Sequence, residues 1–279
     1  MIVDRVAIIG AGRVGLTLAR ALIHSGADVR LLGRHSRTLP EWLLAIETDW
    51  GPAIAAADLV LVAVPDDAIA DVARTLATSG TVAARQIILH TSGLCDRTEL
   101  AALDATGAAL GSLHPLQTFA VPDGDPEALR GSPAAIEGDA RALAAARAIA
   151  ERLQLSPIVE IAAGGKPAYH AAAVFASNYQ VVLADIAVRL ARAAGAGDVS
   201  AELFLPLMRR TLDNYGIGGA AALTGPISRG DTGTVARHLD ALTGADRALY
   251  VMLGREALRL ARAAGLDERN ATAIDMLLY

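Results

Sequence analysis

The sequence predicts an α/β fold, a doubly wound parallel sheet followed by an all-helical segment, and three observations carry that reading. Short apolar runs alternate with amphipathic stretches from residue 5 to residue 161, the pattern of parallel strands joined by crossover helices. A glycine cluster, Gly10-Ala11-Gly12-Arg13-Val14-Gly15, stands between the first strand and the first helix. After Gly164-Gly165 the strand-like runs stop, and five stretches of helical periodicity follow.

Taken in order, Arg5–Ile9 reads as a strand, Val14–Ser25 as an amphipathic helix and Asp28–Leu32 as a second strand. Asp58–Val64 is a third strand, Asp67–Ala77 a helix and Gln86–His90 a fourth strand. Ala109–Leu113, Ala134–Glu137 and Pro157–Ile161 are short apolar strands, and Asp139–Leu153 is a helix. Beyond them Ala168–Ala194, Val199–Leu212, Thr234–Leu242, Arg247–Ala264 and Glu268–Leu278 are helical. The Gly-rich stretch Asn214–Asp231 reads as a long loop. These segments predict two domains, residues 1–163 and 164–279, the first α/β and the second all-helical.

Composition narrows the function classes. Hydrophobic residues make up 53% of the 279, but the surplus is largely alanine. The longest apolar candidate, Ala171–Val188, is interrupted by Ser177, Asn178, Gln180 and Asp185, so no membrane span is expected. A net charge of −5 with scattered arginines argues against nucleic acid or an anionic membrane surface as partner. The single cysteine, Cys95, suits a reducing compartment, and no basic-then-apolar leader is read, so a cytoplasmic location is expected. No metal site is predicted.

Gly10–Gly15 has the strand-before, helix-after context that gives a GxGxxG its meaning. Gly10 permits a tight turn, Gly12 lets backbone approach a pyrophosphate, and Gly15 lets helix and strand pack closely; Ala11, Arg13 and Val14 complete the loop. The first domain is therefore expected to be Rossmann-like, with phosphates against a helix N-terminus. NAD binders place an acid at the end of the second strand. Here Arg34, Ser36 and Arg37 follow, with no carboxylate before Glu41, so NADP(H) is the expected cofactor. Val64-Pro65 and Thr91-Ser92 end the next two strands at the ligand-binding edge and are expected to contact it.

Two groups of residues are candidates for chemistry. His114 ends another strand, where it either faces the cleft or is a satisfied structural histidine. Lys166 is the only lysine among 25 basic residues, and it stands at the mouth of a helix at the domain junction. At helical spacing Lys166, His170, Ala173 and Ser177 share a narrow stripe that suits a cleft wall, with Asn178 roughly a quarter turn away. Burial and the positive helix end should lower the lysine's pKa, which suits a proton donor.

Over essentially its whole length the chain resembles a bacterial family named as NADP oxidoreductases, with a Rossmann-like N-terminal domain and an uncharacterised helical C-terminal domain. The resemblance rests on Gly10–Gly15, Val64-Pro65-Asp66, His90-Thr91-Ser92-Gly93, His114-Pro115-Leu116-Gln117, Tyr169-His170 through Ser177-Asn178, and Leu223 through Asp231. More distantly it looks like the superfamily of 6-phosphogluconate dehydrogenase, β-hydroxyacid dehydrogenases, ketopantoate reductase and pyrroline-5-carboxylate reductase. In the hydroxyacid branch a lysine at the place of Lys166 is the acid/base, and an asparagine usually follows four residues later, where this chain has His170.

The resemblance implies a homodimer through the helical domains. It also implies an NADPH-dependent reductase of a small 2-oxo acid, ketopantoate first. In that reading Lys166 protonates the alkoxide while His170, Asn178, Ser177 and His114 position the substrate. Arg229 either binds the substrate carboxylate or pairs with Asp231 to brace its loop. An imine reductase and a non-catalytic NADPH sensor are the rival readings.

Overall fold

The computed structural model describes residues 4–35, 45–121 and 124–279. Seven strands form one sheet: β1 Arg5–Ile9, β2 Asp28–Leu32, β3 Leu59–Val62, β4 Ile87–His90, β5 Ala109–Pro115, β6 Ala134–Gly138 and β7 Ile158–Glu160. Their spatial order is β2-β1-β3-β4-β5-β6-β7. Every pairing is parallel except β5 with β6, which is antiparallel, a departure from the all-parallel expectation. The order reverses between β1 and β3, so a crevice opens beyond their carboxyl ends, where open α/β sheets bind ligands.

The strands are apolar on both faces because both faces are covered. On one side α1 (Arg13–His24) and, later in the chain, Ala140–Arg152 pack against Ile8, Leu61, Leu89 and Leu113. On the other, α2 (Trp50–Ala56) and α3 (Ile69–Ser79) pack against Ile9, Val60, Val62 and Ile88. The Ala140–Arg152 helix, α4, begins where Asp139 accepts from the Ala142 N–H at 3.0 Å and from the Leu110 N–H at 2.8 Å, which ties the cap to β5.

The chain forms two compact units, residues 1–176 and 177–279. The division follows rather than precedes α5 (Lys166–Ala176), because that helix is bonded to the sheet. The second unit holds α6 (Asn178–Ala193), α7 (Leu205–Gly218), α8 (Thr232–Ala241), α9 (Gly244–Ala263) and α10 (Glu268–Leu277). It contains no strand among the described residues. Its core is small: Val235, Leu239, Leu258, Ala271 and Ile274 belong to it, whereas α6 and α7 bury no residue fully.

Several expectations need correction. Helix α2 is an element the sequence reading did not include; Asp49 caps it and Pro52 sits in its first turn, where a missing N–H costs nothing. Helix α7 runs to Gly218 and a 3-10 turn covers Gly219–Ala222, so the irregular loop starts only at Leu223. The helical stretch Lys166–Ala193 is long and apolar enough to cross a membrane by length and composition, against the expectation that none would be. Its polar interruptions are too few to break the run, although the backbone bends at Ser177, where φ is −124° and ψ is −70°.

Helix α1 lies close to β1 because of two glycines. Gly10 has φ +112°, and a Cβ on it would stand 2.2 Å from the Ala63 carbonyl oxygen. A Cβ on Gly15 would stand 1.9 Å from the carbonyl oxygen of Gly10 itself. Gly15→Ala must therefore push α1 away from the sheet, and we expect a loss of about 2–4 kcal/mol, read as a lowered urea midpoint.

Candidate active site

The glycine loop that brings α1 close to β1 also leaves its own centre open. Gly12 caps α1, no side chain satisfies that end, and a Cβ built on Gly12 meets nothing within 4 Å. The first N–H groups of α1 are thus free for an anion, and the helix dipole favours one there. They face a 600 Å³ cavity lined by Gly10, Ala11, Gly12, Arg34, Val64 and Pro65, all expected to be cofactor contacts. Trp50 closes part of its wall, its Nε1 donating to the Gly33 carbonyl at 3.1 Å. Val14 faces the core instead, and Arg13 is exposed at the start of α1. Ser36 and Arg37 lie outside the described residues.

Further along the same sheet edge the ends of β4 and β5 carry a second cluster. The Thr91 N–H continues the ladder to the Val62 carbonyl at 3.1 Å. Ser92 is buried, and its hydroxyl accepts from the Leu94 and Cys95 N–H groups at 3.0 and 2.9 Å, so it shapes the turn rather than facing the cavity. His90 is fully buried beneath this turn. Its Nδ1 accepts from the Ser92 N–H at 3.2 Å, which leaves Nε2–H to donate to the Asp96 carbonyl at 3.1 Å. Both bonds suit one neutral tautomer.

Lys166 opens α5 and reaches back onto the sheet. It is fully buried, and its Nζ donates to the Ser92 carbonyl at 2.7 Å and to the Ser112 hydroxyl at 3.2 Å. Desolvation lowers its pKa to about 8, opposed by the charges of Glu137, Cys95, Asp66 and Asp96. Among the described residues it makes no salt bridge. The lowered pKa agrees with expectation, but the position does not: the ammonium is sealed under the β4 turn instead of lining a cleft wall.

One turn later α5 presents Tyr169 and His170, both half-buried. The Tyr169 hydroxyl lies 3.0 Å from Nδ1 of His114, with the two rings edge to face at 5.7 Å. The His170 and His114 rings meet at 6.5 Å, also edge to face. Both imidazoles pack on Gly93, where a Cβ would come within 2.9 Å of each, so the residue after Ser92 must be glycine for the rings to sit there. Burial, then the charge of Lys166, lowers the His114 pKa to about 4, and burial raises that of Tyr169. At neutral pH the pair is an uncharged imidazole and an uncharged phenol.

The cluster thus brings together His114, Lys166 and His170 from the predicted site, Tyr169 and His90 from the segments that carry the resemblance, and Ser112 and Glu137, which sequence reading did not name. Tyr169 had a usable signal, its spacing of three from Lys166 on one helix face. Ser177, Asn178 and Arg229 belong to the second unit. Ser177 marks the bend before α6, and Asn178 is exposed in its first turn. Arg229 is exposed and lines a 460 Å³ cavity with Ser228, Leu260 and Asn270. Asp231 caps α8, accepting from the Thr234 N–H at 2.9 Å and its hydroxyl at 2.7 Å, and the nearby charge of Arg229 adds to the lowering of its pKa.

Comparison with known proteins agrees with this geometry. Residues 3–115 match a Rossmann-like domain and residues 132–257 match a domain of unknown function, DUF2520. No curated protein matches the chain. Among solved structures, the putative NADP oxidoreductase BF3122 of Bacteroides fragilis is similar, at 22% identity and TM-score 0.68 over 90% of this chain and 96% of that one. Protein TM1727 of Thermotoga maritima gives 23% identity and TM-score 0.67 over 93% and 99%. A reductive aminase from Aspergillus terreus, in complex with NADPH and ethyl levulinate, gives 19% and 0.59 over 99% and 93%. These likenesses establish the fold.

The buried histidine makes stability pH-dependent. The His90 pKa falls from 6.5 to about 4, chiefly by desolvation, so on acidification the unfolded chain takes up its proton first. Its contribution is intact above pH 6.5 and is lost progressively down to about pH 4, a loss on the order of 3 kcal/mol. His114 adds a loss of the same sign. Urea denaturation across this range should show the slope, and His90→Gln should flatten it. NMR detection of a protonated His90 in the folded protein at pH 5 would contradict this account.

Proposed function

We propose that the protein binds NADP(H) and reduces a small carbonyl compound, a 2-oxo acid in the first instance and ketopantoate as its leading candidate. The observation that carries the reading is the uncapped N-terminus of α1, open at Gly12, at the point where the strand order reverses. A dinucleotide's pyrophosphate fits that place. Arg34, exposed at the mouth of the same cavity, has the charge to favour a 2′-phosphate over a bare ribose hydroxyl. The described residues fit the group: a Cβ on Gly12 would meet nothing within 4 Å, so the loop has room for backbone approach.

Bound NADPH supplies a hydride equivalent to an electrophilic carbon. The chain's own contribution is the cluster at the ends of β4 and β5. There His114, Tyr169 and His170 offer hydrogen-bonding groups at a half-buried surface, and the buried Lys166 ammonium adds positive potential beneath it. That potential favours charge developing on a substrate oxygen.

An imine reductase is the second reading, and one observation favours it. The Lys166 ammonium is engaged by Ser92 and Ser112, and an imine already protonated before reduction asks less of an acid. The reductive aminase neighbour carries related chemistry on the same fold. Arg229 and Asn178 are retained as proposed substrate contacts, in their own chain or in a homodimer whose second copy completes the site. That dimer is supported by the apolar face of α6 and α7, where Val181, Leu207 and Ile217 are 72%, 65% and 90% exposed. The proposed location is the cytoplasm, where NADPH is maintained and Cys95 stays reduced.

Four measurements test these readings. Fluorescence titration should show NADPH bound more tightly than NADH, and the reverse order overturns the cofactor. Gly12→Ala should leave stability within about 1 kcal/mol yet weaken NADPH binding tenfold or more, since its Cβ points into the phosphate's approach. NADPH oxidation should be seen with a panel of 2-oxo acids and cyclic imines; binding without any turnover would favour the sensor. Ile217→Glu should convert a dimer to a monomer in sedimentation velocity, and a monomeric native protein removes the dimer.

A further inference from the structure

We propose that Tyr169, held by His114, is the proton donor of this site, and that Lys166 is a positioning residue that never reaches the substrate. The inference rests on the reductase reading and assigns roles within it. Three observations carry it. Lys166 is fully buried, and two protein acceptors, the Ser92 carbonyl and the Ser112 hydroxyl, already hold its Nζ. To protonate a substrate it would have to leave both and cross the β4 turn. Tyr169, three residues on and so on the same face of α5, is half-buried instead, and its hydroxyl meets His114 near the end of β5. The third observation is orientation: His114 Nδ1 lies 3.0 Å from that hydroxyl, and the His114 ring is itself fixed by packing on Gly93 and against His170.

The step balances with the hydride donor already named. As hydride forms the new C–H bond, the π pair of the carbonyl moves onto oxygen. The Tyr169 O–H bond breaks, and its proton forms the product hydroxyl. His114, protonated on Nδ1 and free of charge, donates to the phenolate left behind, and water returns a proton to Tyr169 after product leaves. An alkoxide is far more basic than a phenolate, so the transfer runs downhill. For an imine the same hydroxyl gives its proton to nitrogen before hydride arrives. Lys166 acts through structure: it fixes the first turn of α5 to β4 and β5, and this sets where the phenol stands.

Tyr169→Phe keeps the ring and removes only the hydroxyl. It should lower kcat about 100-fold or more with KM and the NADPH dissociation constant changed by less than about threefold. His114→Asn, whose amide can still donate to the phenol, should retain more activity than His114→Phe. A readout independent of turnover comes from the cofactor-free protein: nitrogen NMR should show His114 neutral at pH 6, and its Nδ1 resonance should move in Tyr169→Phe. If the wild type reduces substrate and Tyr169→Phe keeps kcat within threefold, or changes KM alone, the acid role is wrong and the reductase reading stands. If His114 Nδ1 is unmoved, the pairing is wrong. If the wild type reduces no carbonyl or imine, the reductase reading fails and takes the acid role with it.

Discussion

One buried ammonium organises the cluster at the ends of β4 and β5. Lys166 draws the start of α5 onto the ends of β4 and β5 by bonding the Ser92 carbonyl and the Ser112 hydroxyl, and everything one turn later inherits that register. Taking a cation out of water is costly, and only good hydrogen bonds and nearby negative charge offset it. Both are present here: two oxygen acceptors in contact, and the carboxylate of Glu137, itself 5% exposed, among the charges that hold the lysine's proton on. An arginine would bring five donors in a rigid plane and could not shed its charge. A pocket in which two acceptors meet the Nζ suits a lysine, which accounts for the survival of this one in a chain whose other basic residues are all arginine.

The edge of the sheet separates two tasks. At the reversal between β1 and β3, glycines remove side chains so that backbone can approach a ligand; at the ends of β4 and β5, side chains crowd together. Gly93 belongs to the second group and does the opposite of Gly12. Its missing Cβ is filled by two protein rings and not left as open space. The two regions share one scaffold, since the Thr91 N–H bonds the Val62 carbonyl and so carries the ladder from the first region into the second. Movement of the β4 turn would therefore be felt at both.

Much of this was legible in the sequence wherever the information is local. The bounds of β1 follow from its apolar run Val6–Ile9, and the loop at Gly10–Gly15 follows from its place between strand and helix. What was not legible depends on distant partners or on competition between local signals. Apolar alternation does not encode strand direction, so the antiparallel β6 was invisible. Pro52 reads as a breaker unless one knows that Asp49 starts the helix just before it. The depth of Lys166 is set by Ser92 and Ser112, 74 and 54 residues away in sequence, so helical periodicity alone placed it on a cleft wall. The pairing of Tyr169 with His114 spans 55 residues and has the same origin.

The helical unit poses a different physical problem, because its own core does not account for its apolar residues. Buried side chains come from α8, α9, α10 and the loop before them, whereas α6 and α7 leave Val181, Val182, Leu207, Leu212 and Ile217 open to water. An apolar face of this size on a two-helix surface must be covered to be stable in water. A bilayer is a poor cover for the helical stretch Lys166–Ala193, although its length and composition would permit one. Its first turn is fixed by polar bonds beneath a sheet, and Arg189 near its end is paired bidentately with Asp246 at 2.6 and 2.7 Å. A protein surface of the same apolar character is compatible with both constraints, and a second copy of the chain is the occupant proposed above.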